Sequence, residues 1–296
     1  MFDIKSFYEA KDVKDAVEAL VREPEAEVIS GGTDVLIRVR EGKDAGRALV
    51  SIHNIKELKG VKILENGDLW IGAATAFSHI TNDPTIQKLV PMLGEAVDMV
   101  GGPQIRNTGT IGGNICNGAT SADSAASMWT LNALIQLEGP EGHREVPIHE
   151  FYTGPGRTVR DRCEVCTGFI IKKEDYEGWY GQYIKYGKRK AMEIATLGCA
   201  VRVKLSADKK MIEDVRLGYG VAGPTPLRCH VAEAYLKGKT VSDKEAAAEF
   251  ARLALTEVNP RSSWRASKEF RLQLIEELAK RGLAEAIRRA GGEENA

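Results

Sequence analysis

Glycines and small polar residues are concentrated between residues 101 and 127, in the segment GGPQIRNTGTIGGNICNGATSADSAAS. Glycine reaches positive φ without a Cβ clash and lets the backbone approach a ligand, so such a run can direct successive N–H groups at one point. Arg106 is its only basic residue, and no lysine accompanies Gly109, Gly112 and Gly113. We therefore expect an anion-binding segment in which backbone amides neutralise a phosphate, unlike the lysine-assisted P-loop. A long surface loop is the alternative interpretation.

A second glycine turn lies upstream, in the sequence EVISGGTDVLI from Glu27 to Ile37. A short apolar strand enters the turn, and an apolar run leaves it. Several N–H donors are exposed before the next element can bond them, and a pyrophosphate can bind at such a place. A single Gly-Gly turn is usually only a turn. Two such segments in one chain favour a phosphate-bearing ligand.

The composition limits the class of protein. With 296 residues, of which 43% are hydrophobic, the chain can form two or three packed units. Its 41 basic and 42 acidic side chains give a net charge of −1, which does not favour a nucleic-acid partner. No window approaches the ~18 apolar residues that a membrane span requires. Five scattered cysteines do not indicate a disulfide framework, so we expect a cytoplasmic protein without a membrane partner.

Hydrophobic periodicity predicts an order of elements that places the two glycine segments at the ends of strands or helices. The predicted strands are 27–29, 49–52, 61–64, 69–74, 134–137, 165–171, 182–186, 197–205 and 215–221. The predicted helices are 13–21, 75–83, 85–100, 125–133, 231–236, 244–258 and 267–289. A charged and aromatic stretch, KKEDYEGWYG, predicts a domain boundary between residues 172 and 181.

Other residues that could do chemistry give weaker signals. Cys163 and Cys166 form one C-x-x-C with no second pair, which is weak evidence for zinc, and a packing role is preferred. His53 and His79 are interpreted as polar or capping residues rather than ligands. The stretch PRSSWRAS around Trp264 is interpreted as a helix-entry loop, with a partner-binding anchor as the alternative and a nucleic-acid patch disfavoured.

Several motifs, in order along the whole chain, resemble those of one family. They are MFDIKSFYEA, ISGGTDVLI, IHNIKEL, GGPQIRNTGTIGGNICNGATSADSA, GVAGPTPLRC and PRSSWRASKEFR. The chain resembles the FAD-binding medium subunits of the molybdenum hydroxylases, and within them the bacterial xanthine dehydrogenase type. The resemblance implies an α+β fold: a PCMH-type FAD-binding domain of two small α/β lobes and a C-terminal antiparallel sheet with helices. The implied bounds are 1–177 for the first domain, with lobes of about 1–56 and 57–177, then 178–290 for the second, and a tail at 291–296.

The resemblance also implies which positions contact FAD. The segment around the pyrophosphate comprises Glu27, Val28, Ile29, Ser30, Gly31, Gly32, Thr33 and Asp34. The second phosphate segment comprises Thr110, Ile111, Gly112, Gly113 and Asn114. Single contacts are implied at Val100 beside the flavin, at Asp123, at Cys166 and at Lys185. Position 166 is usually leucine or isoleucine in the family, so Cys166 departs from its pattern; free cysteine behaves as a small hydrophobe.

The function implied by the resemblance is electron transfer. A molybdenum-cofactor subunit oxidises the substrate, an iron–sulfur subunit with 2Fe-2S clusters carries the electrons, and FAD in this subunit passes a hydride to NAD. The cysteines lack ferredoxin spacing and no strand leads into G-x-G-x-x-G, so the chain is not the whole enzyme. Nicotinate, aldehyde or carbon monoxide dehydrogenase complexes are alternatives. A scaffold without flavin and a free-standing flavin oxidase are disfavoured.

Overall fold

The structure is a computed structural model that describes residues 2–292. Residues 293–296 of the expected tail lie outside the described part of the chain. Helices pack on three main sheets, two in the N-terminal half and one in the C-terminal half. The α+β class expected from the resemblance is confirmed.

The first sheet is parallel, with strand order β1-β3-β2. Its elements are β1 (Ile4–Glu9), α1 (Val13–Arg22), β2 (Glu27–Ile29), α2 (Val35–Arg40) and β3 (Arg47–Ser51). The carboxylate of Asp12 begins α1 by accepting the amide hydrogen of Asp15, with an N to O distance of 2.8 Å. Leu20 and Ala16 are buried against the sheet. β2 is an edge strand, and the chain passes from its last residue, Ile29, into the first glycine turn.

The second sheet is antiparallel, with strand order β4-β5-β10-β6-β7. Its strands are β4 (Val61–Ile63), β5 (Leu69–Gly72), β6 (Leu134–Gly139), β7 (Gly142–Pro147) and β10 (Val165–Ile171). The helices before β6 are α3 (Phe77–Asn82), α4 (Pro84–Leu89), α5 (Pro91–Asp98), α6 (Pro103–Thr108), α7 (Ile111–Cys116) and α8 (Asp123–Thr130). A short helix α9 (Ile148–Phe151) and a small hairpin, β8 (Tyr152–Gly154) and β9 (Arg157–Thr158), precede β10.

The prediction of a single helix over residues 85–100 is wrong. Two helices occupy this range, α4 and α5, because Pro91 has no N–H to donate to the preceding turn and restricts the residue before it. Val90 accordingly has φ −141° and ψ 52°, outside the helical region, and Pro91 begins α5. Pro84 has the same position in α4, where the carboxylate of Asp83 accepts amide hydrogens from the first turn.

The glycine-rich stretch 101–127 is also more regular than a loop. It contains α6, α7 and the start of α8, and its glycines provide the close approaches between them. A Cβ on Gly112 would lie 2.6 Å from the carbonyl oxygen of Ala73, so α7 packs tightly against the end of β5 only because this residue is glycine.

The third sheet is antiparallel, with strand order β11-β12-β13-β14. Its strands are β11 (Trp179–Tyr186), β12 (Leu197–Leu205), β13 (Ile212–Gly220) and β14 (Leu227–Arg228), and the helices are α10 (His230–Leu236), α11 (Lys244–Ala254) and α12 (Lys268–Arg289). The strand predicted at 197–205 is confirmed. α12 ties the two halves together, because Arg289 lies 2.7 Å from the carboxylate of Glu95 and donates to the carbonyl oxygen of Gly181.

Candidate functional site

The turn after β2 presents backbone donors that the protein does not use. Among the described residues, no amide from Gly31 to Asp34 donates a hydrogen bond to another protein group. Gly32 has a φ of +74°, which reverses the chain before α2. The hydroxyl of Ser30 is buried and has no hydrogen-bond partner among residues 2–292. Because buried polar groups are seldom left unpaired, this turn has the properties of an anion site.

The two glycine segments meet although they are far apart in the sequence. A Cβ on Gly31 would overlap the carbonyl oxygen of Thr108 and lie 2.9 Å from the Cα of Gly109. The carbonyl oxygen of Gly109 accepts the amide hydrogen of Phe77, with an N to O distance of 3.0 Å, which anchors this backbone to α3. The first turn therefore packs directly on the start of the second segment.

The amides of the second segment are bonded within the protein. The four amides from Ile111 to Asn114 donate to the carbonyl oxygens of Thr75, Ala73 and Thr110 and to the Thr110 hydroxyl, with N to O distances of 2.8 to 3.2 Å. The expectation that these amides neutralise a phosphate is therefore wrong, since α7 and the neighbouring backbone already use them. The amides of Ile111 to Asn114 are therefore not free donors for a ligand in this structure.

Gly113 and Asn114 are the positions of α7 best suited to contact with a ligand. A Cβ on Gly113 would have only the hydroxyl of Thr110 as a neighbour, at 3.1 Å, so the protein itself does not fill this space. The Oδ1 atom of Asn114 accepts a hydrogen bond from Ser124, with an O to O distance of 2.7 Å, which fixes the amide side chain. Ile111 is buried in the core of the second sheet.

The first three residues of the predicted FAD segment, Glu27 to Ile29, form β2 and anchor the start of the turn. The carboxylate of Glu27 lies 3.4 Å from both Arg38 and Arg47, which joins β2 to α2 and β3. Ile29 is buried, and Val28 packs against the core of the first sheet. Two residues follow the glycines in the turn itself: Thr33, which is half-buried, and Asp34, which is exposed.

Asp123 and Lys185, expected as separate cofactor contacts, lie against each other. The Lys185 ammonium is 2.7 Å from the Asp123 carboxylate, and it also donates to the carbonyl oxygen of Met99 at 2.8 Å. The Tyr183 hydroxyl donates to the second carboxylate oxygen at 2.8 Å. Burial raises the pKa of Asp123, and the charge of Lys185 opposes this shift. The pair joins α8 to β11 and therefore the two halves of the chain.

Val100 lies at the end of the helical region before the second segment, half-buried against the core of the second sheet. A loop of the C-terminal half reaches the adjoining residue, because the amide of Met192 donates to the carbonyl oxygen of Gly101 at 3.2 Å. Met192 has a φ of +53° and is 63% exposed. Sequence reasoning did not select this loop, since its sequence KRKAME has no motif or periodicity.

Cys166 lies on β10 beside Cys116 at the end of α7. A hydrogen bond with the Cys166 thiol lowers the pKa of the Cys116 thiol against the opposing effect of burial, and the same contact raises the pKa of Cys166. Burial also raises the pKa of the Tyr152 hydroxyl, which is near Cys116 and has no hydrogen-bond partner. Cys163 does not join this group, because its thiol contacts the carbonyl oxygen of Leu20 in the core of the first sheet.

Within residues 2–292, no group of three or more His, Cys, Asp and Glu side chains could hold a metal ion. His79 lies 3.6 Å from Asp83, as a local polar contact. No helix in the same range has the length and apolar content needed to cross a bilayer.

These observations fit a dinucleotide better than a single phosphate. The unbonded amides and the Ser30 hydroxyl form one anion site, and Gly113 and Asn114 extend the same region along α7. The C-terminal half reaches one end of this region, at Val100 and Gly101. It is held there by the ion pair of Asp123 and Lys185 and by the loop at Met192. The site can therefore bind and orient a cofactor, and it contains no cluster of acid and base residues that would perform chemistry alone.

Two family models together match nearly the whole chain. The FAD binding domain in molybdopterin dehydrogenase matches residues 2–172, and the CO dehydrogenase flavoprotein C-terminal domain matches residues 182–286.

Individual proteins match over similar lengths. The chain is 42% identical over 292 residues to the xanthine dehydrogenase FAD-binding subunit of Escherichia coli O157:H7, with 99% of each chain covered. It is 34% identical to the nicotinate dehydrogenase FAD-subunit of Eubacterium barkeri over 71% of each chain. Among solved structures, carbon monoxide dehydrogenase from Hydrogenophaga pseudoflava aligns with a TM-score of 0.91 at 30% identity and covers 98% of this chain and 99% of that one.

Proposed function

Because the chain belongs to the family of FAD-binding subunits of molybdenum hydroxylases, we propose that it is the FAD-carrying subunit of a multi-subunit xanthine dehydrogenase. The full-length similarity to a xanthine dehydrogenase subunit supports this choice over other members of the family. A nicotinate, aldehyde or carbon monoxide dehydrogenase complex is the second candidate, supported by the similarity to the subunits of nicotinate and carbon monoxide dehydrogenases. We also propose that the chain divides into domains at residues 1–177 and 178–290, with the first domain made of lobes 1–56 and 57–177.

One observation supports the proposal most strongly. The first glycine turn packs against the backbone of Thr108 and Gly109, and the amides of Gly31 to Asp34 beside this contact donate to no protein group among the described residues. In this assignment, the amides of Gly31 to Asp34 and the Ser30 hydroxyl hold the FAD pyrophosphate. Gly113 provides the space for close approach, and Asn114 provides a fixed polar side chain. Glu27 and the buried residue Ile29 hold the turn in position.

The redox chemistry supplied by bound FAD is the receipt of electrons from iron–sulfur clusters on a partner subunit and the delivery of a hydride to NAD. The residues of this chain bind, orient and shield the cofactor. The pair Asp123 and Lys185 keeps the C-terminal half against the FAD-binding half, with both charges removed from water. Val100 and the loop at Met192 border the same region.

Assembly with an iron–sulfur subunit and a molybdenum-cofactor subunit follows from the same proposal, and one surface supports it. Trp264 is 76% exposed, although its loop is held rigidly by Arg271, a buried residue that donates to Ser263 at 2.9 Å and to the carbonyl oxygen of Arg261. An exposed aromatic side chain on a fixed loop is typical of an interface anchor. The five cysteines are free thiols, which agrees with a reducing cytoplasm.

The experiment that tests the proposal is purification of the chain followed by release and identification of its flavin. We expect FAD at one molecule per chain, and we expect NADH to bleach the flavin absorbance of the purified protein, since hydride transfer is reversible. FAD without bleaching by NADH would exclude NAD as the acceptor, and a colourless protein that does not take up added FAD would exclude the flavoprotein role. Purification of the native complex identifies the partner subunits and the substrate oxidised by the complex.

A further inference from the structure

A cavity lies between the two halves of the chain, apart from the site described above. It has a volume of about 550 Å³ and is formed by the end of the second sheet and by the strands and first helix of the third sheet. Its wall includes Lys172, Lys204, Arg216, Arg228, Leu134 and Pro147. None of the residues assigned to FAD is part of this wall. The volume is within the range of small-molecule sites.

Two guanidinium groups pack against the ring of Trp179, a residue of the cavity wall, and one of them, Arg216, lines the cavity itself. Arg216 is 4.2 Å and Arg202 is 5.0 Å from the ring centre of Trp179. Both also donate to the carbonyl oxygen of Thr130, with N to O distances of 2.9 Å. Arg202 is fully buried and forms no ion pair among the described residues. Burial and the charge of Arg216 lower the pKa of Arg202 well below its usual value.

Two carboxylates compensate part of this charge. Asp175 lies 2.6 Å from Arg216, and Glu233 lies 2.6 Å from Arg228. Asp175 also acts on Arg202 through its charge, so three arginines share two buried carboxylates. The excess positive charge is costly to bury unless an anion approaches it.

Two lysines at the cavity wall add further positive charge. Neither Lys172 nor Lys204 has a carboxylate oxygen within 4 Å in the described part of the chain, whereas the acidic residue Asp214 of the wall lies 3.9 Å from Lys237. Glu174 and Asp175 are the other acidic side chains of the wall. His149 and His230 also border the cavity. The cavity therefore offers unpaired ammonium groups beside a cationic interior.

We propose that this cavity binds the phosphate group of a small phosphorylated metabolite. Lys172 and Lys204 pair with the phosphate as free point charges. Arg228 and Arg216, which are held in place by Glu233, Asn132, Asp175 and the carbonyl oxygen of Thr130, add positive charge at fixed positions. A phosphate fills only a part of about 550 Å³, so the apolar wall at Leu134 and Pro147 leaves room for the organic part of the ligand. Because the cavity lies between the two halves of the chain, a bound ligand would strengthen their contact.

The test is calorimetric titration of the FAD-loaded protein, freed of excess FAD, with inorganic phosphate and with AMP as probes. We expect one saturable site for each probe, with AMP bound at least as tightly as phosphate. The double variant Lys172→Gln/Lys204→Gln should lose affinity about tenfold or more, because two charge-assisted contacts are removed. The control is Lys59→Gln/Lys210→Gln, which removes two exposed lysines elsewhere and should bind as the unchanged protein does.

Three outcomes would overturn the assignment. They are the absence of saturable phosphate binding, equal affinity in both double variants, and exclusion of AMP from a site that binds phosphate. The FAD content of each variant is measured alongside. Equal FAD content with changed phosphate affinity places the effect at this cavity rather than at the dinucleotide site.

Discussion

Ser30 is the residue whose environment is best explained by a ligand. Its hydroxyl is buried beside the free amides of the first glycine turn and has no protein partner. An unpaired buried hydroxyl costs stability in the empty protein and contributes to binding when an anion accepts its hydrogen.

The change Ser30→Ala should therefore weaken FAD binding without weakening the empty protein. Loss of one hydrogen bond to a charged group predicts a decrease of about tenfold in FAD affinity, or about 1.5 kcal/mol. Thermal unfolding of the apoprotein should be unchanged or slightly higher. Ser127→Ala is the matched control, since the Ser127 hydroxyl is also buried without a partner but lies within α8. Equal FAD affinity in both variants would exclude a contact from Ser30.

The buried pair of Asp123 and Lys185 predicts a dependence of stability on pH. Burial already raises the pKa of Asp123, and Lys185→Met removes the cation that opposes this shift. A carboxyl whose folded pKa is raised stabilises the fold at low pH, and this contribution is lost as the pH rises. We expect Lys185→Met to cost about 3 kcal/mol or more near neutral pH and less at about pH 5, by urea denaturation.

Lys280→Met is the control for this measurement. It breaks the exposed pair with Glu276, in which both side chains are more than one-third exposed, so a cost below about 1 kcal/mol is expected at either pH. A cost for Lys185→Met that is the same at both pH values would contradict the assigned role of Asp123 ionisation.

At the level of elements, the two glycines of α7 have different roles: one allows close packing within the protein, and the other is proposed to allow a ligand to approach. Gly112 is required by the packing of α7 on Ala73, whereas a Cβ on Gly113 would meet only the hydroxyl of Thr110, at 3.1 Å. Gly112→Ala should therefore destabilise the protein by about 1–3 kcal/mol, as expected for overpacking. Gly113→Ala should leave the stability nearly unchanged, because alanine favours the helix, and should still lower the FAD content. Retention of normal FAD in Gly113→Ala would show that the cofactor does not approach this position.

The sequence predicted most elements of the fold but not the use of its glycines. β10 and β12 were predicted within their observed bounds because runs of seven to nine mostly apolar residues mark buried strands. The break at Pro91 was missed because apolar spacing continued across it. The sequence also could not indicate which amides are free, since the acceptors at Ala73 and Thr75 come from another part of the chain.

Sequence motifs identified some of the candidate site residues. Residues whose role depends on a contact with a distant part of the chain could not be identified in this way. The turn Ser30 to Asp34 was selected correctly as a place where amides stay unbonded. Tyr183, which binds the carboxylate of Asp123, was missed, although it is two residues from Lys185 on the same face of β11.

At the scale of the whole molecule, Trp264 provides a test of subunit assembly. The ring is exposed, with Arg265 at 4.3 Å and Lys188 at 5.6 Å from its centre, so a partner with an acidic rim is favoured. Trp264→Ala should leave thermal unfolding of the isolated chain within about 0.5 kcal/mol and weaken complex formation about 30-fold. Tyr180→Ala, at an exposed aromatic residue of β11, is the control. An intact complex on gel filtration with Trp264→Ala would remove the assignment of this surface.

Hydrogen exchange at single amides, with and without FAD, tests the central claim most directly. The amides of Gly31 to Asp34 have no protein acceptor, whereas those of Ile111 to Asn114 are already bonded. If the first turn binds the FAD pyrophosphate, added FAD should slow exchange strongly at Gly31 to Asp34 and change it much less at Ile111 to Asn114. Unchanged exchange at Gly31 to Asp34 in protein saturated with FAD would contradict the account.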